Sequence, residues 1–128
     1  MWLLCSESLL TNVERNKRGM TDVMECGSCM EIPEDVLHVV RECKKAAEVW
    51  RIIIPVKDWN PFHNHTELKA WVDLNIKANL EYNGIPWNVV FPLVCHQLWL
   101  ARNQKVFNRV NVSAQSIIAK VLACANWG

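Results

Sequence analysis

The sequence predicts a mainly α-helical protein, with a small irregular helical module first and a short helical bundle after it. Three observations carry this. Helix start and stop signals recur along the chain. From Leu68 onward, apolar residues return at three- and four-residue spacing. No segment alternates apolar and polar residues long enough to define a strand. Half of the 128 residues, 51%, are hydrophobic, which supplies a modest core. The first 54 residues would be marginal alone without a staple such as a metal ion.

The elements follow in order. Thr11-Asn12-Val13-Glu14 fits a capping box, in which the Thr11 hydroxyl accepts from the Glu14 amide and the Glu14 carboxylate reaches back to the Thr11 amide. Gly19 suits a left-handed stop to that short helix. A second helical stretch starts at Pro33-Glu34-Asp35, with acidic residues at the positive end of the dipole, and continues in some form to Ile54. Pro55 to Pro61 reads as a linker, because two prolines in so short a run disfavour helix. Thr66 can cap a helix presenting Leu68, Trp71, Val72 and Ile76, ended by Gly84 and Pro86. A longer helix spans about 88–108, with Phe91, Val94, Cys95, Leu98 and Trp99 in register and Pro92 within its first turn. Ser113 caps a last helix carrying Ile117, Ile118, Val121, Leu122 and Ala125. The division is a module over 1–54, a linker over 55–65 and a helical segment over 66–128.

The most informative motif is Cys26-x2-Cys29-x8-His38-x4-Cys43. Zinc takes four nitrogen or sulfur ligands in a tetrahedron, and a Cys-x2-Cys turn lets two thiolates approach one ion. Gly27 suits that turn if it needs a positive φ. The competing reading is a redox pair at Cys26 and Cys29, but such a pair belongs beside a βαβ pattern, and none is visible. Zinc carries a geometric condition. Residues five apart on an unbroken α-helix are rotated by about 140° and separated by about 7.5 Å of rise. His38 and Cys43 can share an ion only if the helix breaks between Glu42 and Lys45, although Arg41-Glu42-Cys43-Lys44-Lys45-Ala46-Ala47 has good helix propensity throughout. Metal binding, at about 10–16 kcal/mol in zinc-finger peptides, is strong enough to impose such a break.

These residues resemble a known family, the zinc-binding domain that follows the polymerase in plant LINE-type (non-LTR) retrotransposon reverse transcriptases and precedes a ribonuclease H domain. The resemblance rests on Trp2-Leu3-Leu4, Leu10-Thr11-Asn12, Lys17-Arg18-Gly19, the Cys/His motif, Glu34-Asp35-Val36-Leu37-His38 and Ala47-Glu48-Val49-Trp50. It resumes at Leu98-Trp99-Leu100-Ala101-Arg102-Asn103 with Phe107, similar to the segment leading toward ribonuclease H. Leu10 and Lys44 depart from the family, which has proline before Thr-Asn and after the last cysteine. The resemblance implies a zinc-binding accessory module without catalysis, binding RNA or DNA, with polymerase or ribonuclease H parts of a related element as further partners. It also implies a fragment of a mobile element. No Asp-Asp pair is present for a polymerase site, and Asp22, Asp35, Asp58 and Asp73 are too scattered for ribonuclease H chemistry.

The remaining candidates are weaker. His63-Asn64-His65 with Glu67 could form a second metal site but lacks a fourth ligand. His96 reads as structural or surface, Cys5, Cys95 and Cys124 as buried small hydrophobes, and the seven tryptophans mainly as core. Net charge is +1, so only local patches could contact nucleic acid. Arg15, Lys17 and Arg18, and Arg41, Lys44 and Lys45, flank the motif. Counter-charge to the metal centre and phosphate binding are both open readings of them. Arg102, Lys105 and Arg109 read as a solvated face. A second function class is a structural or protein-interaction module, in which zinc only stabilises the helices. No apolar run has the length of a membrane span or a signal peptide, and the chain is expected to be intracellular, nuclear or cytoplasmic.

Overall fold

The computed structural model describes residues 9–30 and 32–127, apart from the Trp127 side chain. The expectations for Trp2-Leu3-Leu4 and Cys5 lie outside these residues. Helix α1 is Asn12–Lys17. A π-helical segment, His38–Glu42, leads into α2, Lys44–Ile53. A 3-10 turn at Val56–Asp58 and α3, Trp59–His63, follow. Then come α4 (Leu68–Lys77), β1 (Glu81–Tyr82), β2 (Ile85–Pro86), α5 (Trp87–Asn108) and α6 (Ala114–Trp127). The molecule is mainly α, as its apolar periodicity predicts.

Local sequence explains most of these boundaries. The Thr11 hydroxyl accepts from the Glu14 amide at 3.3 Å, the expected cap. The reciprocal half of the box is absent, because the Glu14 carboxylate bonds Arg18 Nε at 3.0 Å instead. Gly19 takes φ +71° just past the helix end. Ser113 Oγ accepts from the Ser116 amide at 3.1 Å and caps α6. Pro92 sits six positions into α5, later than the first turn.

Three expectations are corrected. The Pro55–Pro61 stretch is wound into the 3-10 turn and α3, with Phe62 buried in the core. The cap of α4 is Glu67 rather than Thr66, and α4 stops at Lys77, well before Gly84. Gly84 instead forms, with Asn83, the left-handed turn between β1 and β2, at φ +77° and +51°.

The core is one cluster running from Val36 to Val121. Trp50 lies at its centre, fully buried, and its ring approaches Phe62 at 4.8 Å, Phe91 at 5.8 Å, and Trp71 and Trp87 at 6.2 Å each. Its indole N–H donates to the Val40 carbonyl at 2.7 Å, which pins α2 to the π-helical segment. Each such aromatic pair contributes about 0.5–1.5 kcal/mol beyond area burial. Helix α5 packs on α4, on α6 and on the π-helical segment, so the long helix is the beam on which the N-terminal module is mounted.

Candidate metal centre

The first two cysteines sit at the tip of a tight hairpin. Glu25 bridges Pro33 in antiparallel sense. The Cys26 amide donates to Ile32 O at 2.8 Å, and the Glu34 amide to Met24 O at 2.8 Å. The Met30 amide closes the turn onto Cys26 O at 3.1 Å. The positive φ belongs to Met30, at +43°, and not to Gly27. A Cβ on Gly27 would meet nothing within 4 Å, so the expected need for glycine there is corrected.

The other two ligands come from the break between helices. Asp35 Oδ1 accepts from the His38 amide at 2.8 Å and starts the turn. The chain then widens to π geometry, and the Cys43 amide donates back to His38 O at 2.7 Å. Cys43 is extended, with ψ 147°, and α2 begins at Lys44. This is the interruption that a shared ion requires. The i→i+5 bond returns the chain over His38, which the 3.6-residue period of an α-helix would not do.

The four ligand atoms of Cys26, Cys29, His38 and Cys43 all lie within 4.8 Å of one another. Cys43 Sγ is 3.9 Å from Cys26 Sγ and 3.8 Å from Cys29 Sγ. A tetrahedron with metal–sulfur bonds of about 2.3 Å has sulfur–sulfur edges of about 3.8 Å. His38 is 3% exposed, and its Nε2 has no hydrogen-bond partner. A buried nitrogen left unsatisfied costs about 1–3 kcal/mol, which a coordinate bond would remove. The Lys44 amide points to Cys29 Sγ at 3.5 Å, a donor that stabilises a thiolate. Hydrogen bonding from Cys43 is the main influence holding the Cys26 thiol well below its usual range. Burial opposes it, and the nearby His38 ring and the backbone at Ser28 and Cys29 lower it further. Cys43 is pushed up as the partner that keeps the proton, chiefly by its bond to Cys26 and then by burial. Three sulfurs and one imidazole suit a soft or borderline ion such as zinc.

Beside this cluster lies a cavity of about 390 Å³, lined in part by Cys26, His38, Cys43, Lys44, Lys45 and Lys105. Lys105 Nζ also contacts Ser28 Oγ. Lys17 and Arg18 are exposed at the end of α1, with Arg18 paired to Glu14 at 3.0 Å. Arg15 donates to Asn12 Oδ1 at 3.1 Å and lies over Phe107. Two basic residues depart from expectation. Arg41 is buried, pairs with Glu42, bonds the His65 carbonyl at 2.7 Å and stacks over Trp71, so its charge is committed to Glu42 and not to the cysteines. Arg102 is not solvated. Its side chain is 8% exposed and pairs with Glu34, itself 2% exposed, at 2.6 Å.

Glu34 is the site residue that the sequence did not single out. Its Oε1 accepts from the Asn12 amide at 2.8 Å, and its carbonyl accepts from the Val13 amide at 3.0 Å. It thus caps α1 from the far side of the cysteine hairpin, while Arg102 neutralises it from α5. His63 is taken up by Trp59, bonding its carbonyl at 2.8 Å, and no second metal cluster forms with His65 and Glu67 among the described residues. His96 is exposed and Cys95 buried, as expected, but Cys124 is exposed.

Residues 1–50 match the family described as zinc-binding in reverse transcriptase. The four-residue cluster thus lies within the stretch that is similar to this family. The match takes in all four ligands and ends at Trp50, the aromatic that seats the module on the core. The chain is also 25% identical, over 107 residues, to a putative ribonuclease H protein of Arabidopsis thaliana. That alignment covers 84% of this chain and 17% of the relative, so the chain spans about a sixth of its length. No solved structure matches. No described helix is long and apolar enough to cross a membrane.

Proposed function

We propose that the chain is a non-catalytic accessory module of a retrotransposon reverse transcriptase, holding one zinc ion through Cys26, Cys29, His38 and Cys43 and binding RNA or DNA. The observation that carries the metal is the convergence of a buried His38 ring nitrogen and three thiols within 4.8 Å of one another. Three thiolates and a neutral imidazole around Zn2+ leave about one negative charge. Lys44 and Lys45 border the cluster and offset it. Lys17 and Arg18, exposed on α1, are then the basic residues best placed for phosphate. Metal analysis of the purified protein should give about one zinc per chain, and Cys29→Ser should lower both stoichiometry and affinity. Full zinc retention by that variant would remove Cys29 from the ligand set.

The nucleic-acid reading is tested by affinity for single- and double-stranded RNA and DNA across salt concentrations. Replacing Lys17 and Arg18 with alanine should weaken binding to all sequences alike and shallow the salt slope by about one to two. Folding should be unchanged, because both side chains are exposed. Exposed Leu100, Val106, Phe107 and Val110 on and beyond α5 favour the second reading, a protein-interaction module. Absence of binding at low salt would decide for it, whereas binding untouched by the double variant would move the phosphate contacts away from Lys17 and Arg18.

A further inference from the structure

The near-neutral net charge conceals an asymmetry. All thirteen Asp and Glu side chains lie at or before Glu81, whereas Arg102, Lys105, Arg109 and Lys120 follow it. Helices α5 and α6 therefore carry cations and no carboxylates of their own. Of the module's acidic groups, Glu34 is committed to Arg102 and Glu14 to Arg18, while Glu48 borders the cavity on the Lys105 side and pairs with Lys45 at 3.9 Å.

On this face Phe107 is 60% exposed, a large aromatic ring left in water. Two guanidinium groups lie over it, Arg15 at 5.6 Å and Arg102 at 5.8 Å, and Arg102 also lies over Trp99 at 5.0 Å. Beside the ring is a cavity of about 270 Å³, bordered by Gln97, Asn103, Gln104 and Lys120 as well as Phe107. The Asn103 and Gln104 carbonyls already accept from Arg102 and Asn108, which orients their amides. An exposed ring flanked by cations and next to an amide-lined hollow is what stacking an unpaired base requires. A duplex hides its base faces and could not use the ring.

We propose that this face of α5 and α6 binds single-stranded nucleic acid, with a base stacked on Phe107 and neighbouring phosphates at Arg15, Arg109 and Lys120. The inference rests on the nucleic-acid reading above and gives a role to the segment outside the family match. The apolar neighbours Leu100 and Val110 would also suit a protein partner, but Arg15 over the ring, the exposed Arg109 and Lys120 and the lack of carboxylates on α5 and α6 favour a polyanion.

The test uses the full zinc-loaded chain and fluorescence anisotropy with mixed-sequence single strands of RNA and DNA and their duplexes. Phe107→Leu keeps an apolar side chain and removes the π face, whereas Phe107→Trp keeps the face. The expected result is single-strand binding about tenfold weaker in Phe107→Leu, duplex binding within about twofold, and near-wild-type binding in Phe107→Trp. Single-strand binding by Phe107→Leu equal to wild type, while the Lys17/Arg18 variant is weakened, overturns this inference alone. Equal weakening on single strands and duplexes, or a Phe107→Trp variant as weak as Phe107→Leu, also overturns it. No binding by the wild type to any probe at low salt overturns both it and the nucleic-acid reading, and points to a protein partner.

Discussion

At the scale of single residues, chemistry in this protein is set by two buried polar groups with opposite fates. His38 Nε2 is left without a partner, whereas Glu34 is fully engaged, by the Asn12 amide and by Arg102. The ligands were legible in the sequence because they fall within one short stretch whose spacing is itself the signal. The Glu34–Arg102 pair was not, because its members are 68 residues apart and nothing local marks either as buried. Glu34 reads as an ordinary acidic residue at a helix start, and only the folded chain shows it capping a different helix. Its burial makes the pair sensitive to truncation. Arg102→Ala leaves a carboxylate 2% exposed without its cation, and should destabilise the fold by about 3–5 kcal/mol in urea unfolding. A loss under about 1 kcal/mol would show that Glu34 finds water or protonates at little cost.

Among the elements, what the sequence shows clearly is periodicity, and what it hides is backbone geometry that only tertiary context selects. Helices α5 and α6 were readable from their apolar spacing and, for α6, from the Ser113 cap. The β1–β2 hairpin was missed although Asn83-Gly84 is a two-residue turn signal, because each strand has only two residues and shows no alternation. Trp59–His63 was missed because Pro55 and Pro61 disfavour helix locally, while Phe62 gains burial against Trp50 and Trp71. The break at Cys43 was legible only as a condition of metal sharing, since the residues around it favour helix. In the cysteine hairpin the positive φ falls on Met30 and not on Gly27. Met30 is 74% exposed, so its side chain contributes little packing in return for a left-handed backbone. Met30→Gly should therefore raise thermal stability, by up to about 1 kcal/mol, while Gly27→Ala should be nearly neutral. Stabilisation by neither change, together with loss of metal affinity in Met30→Gly, would show that the Met30 side chain supports the turn.

Taken whole, the molecule joins the cysteine hairpin to a helical core through three attachments: the Trp50 anchor, the Glu34–Arg102 pair and the packing of α5 on the π-helical segment. The cysteine–histidine cluster lies at the edge of this assembly, and the apolar cluster from Val36 to Val121 needs no ion there for its contacts. An ion held there would fix the hairpin against the helix break and so set where the basic residues of α1 and α2 stand. The proposed metal centre depends on the four ligands acting together. X-ray absorption at the zinc edge of the loaded protein measures that directly. The account predicts one shell of three sulfurs at about 2.3 Å and one nitrogen at about 2.0–2.1 Å. A shell of two sulfurs completed by oxygens, or no zinc held after dialysis, would contradict it.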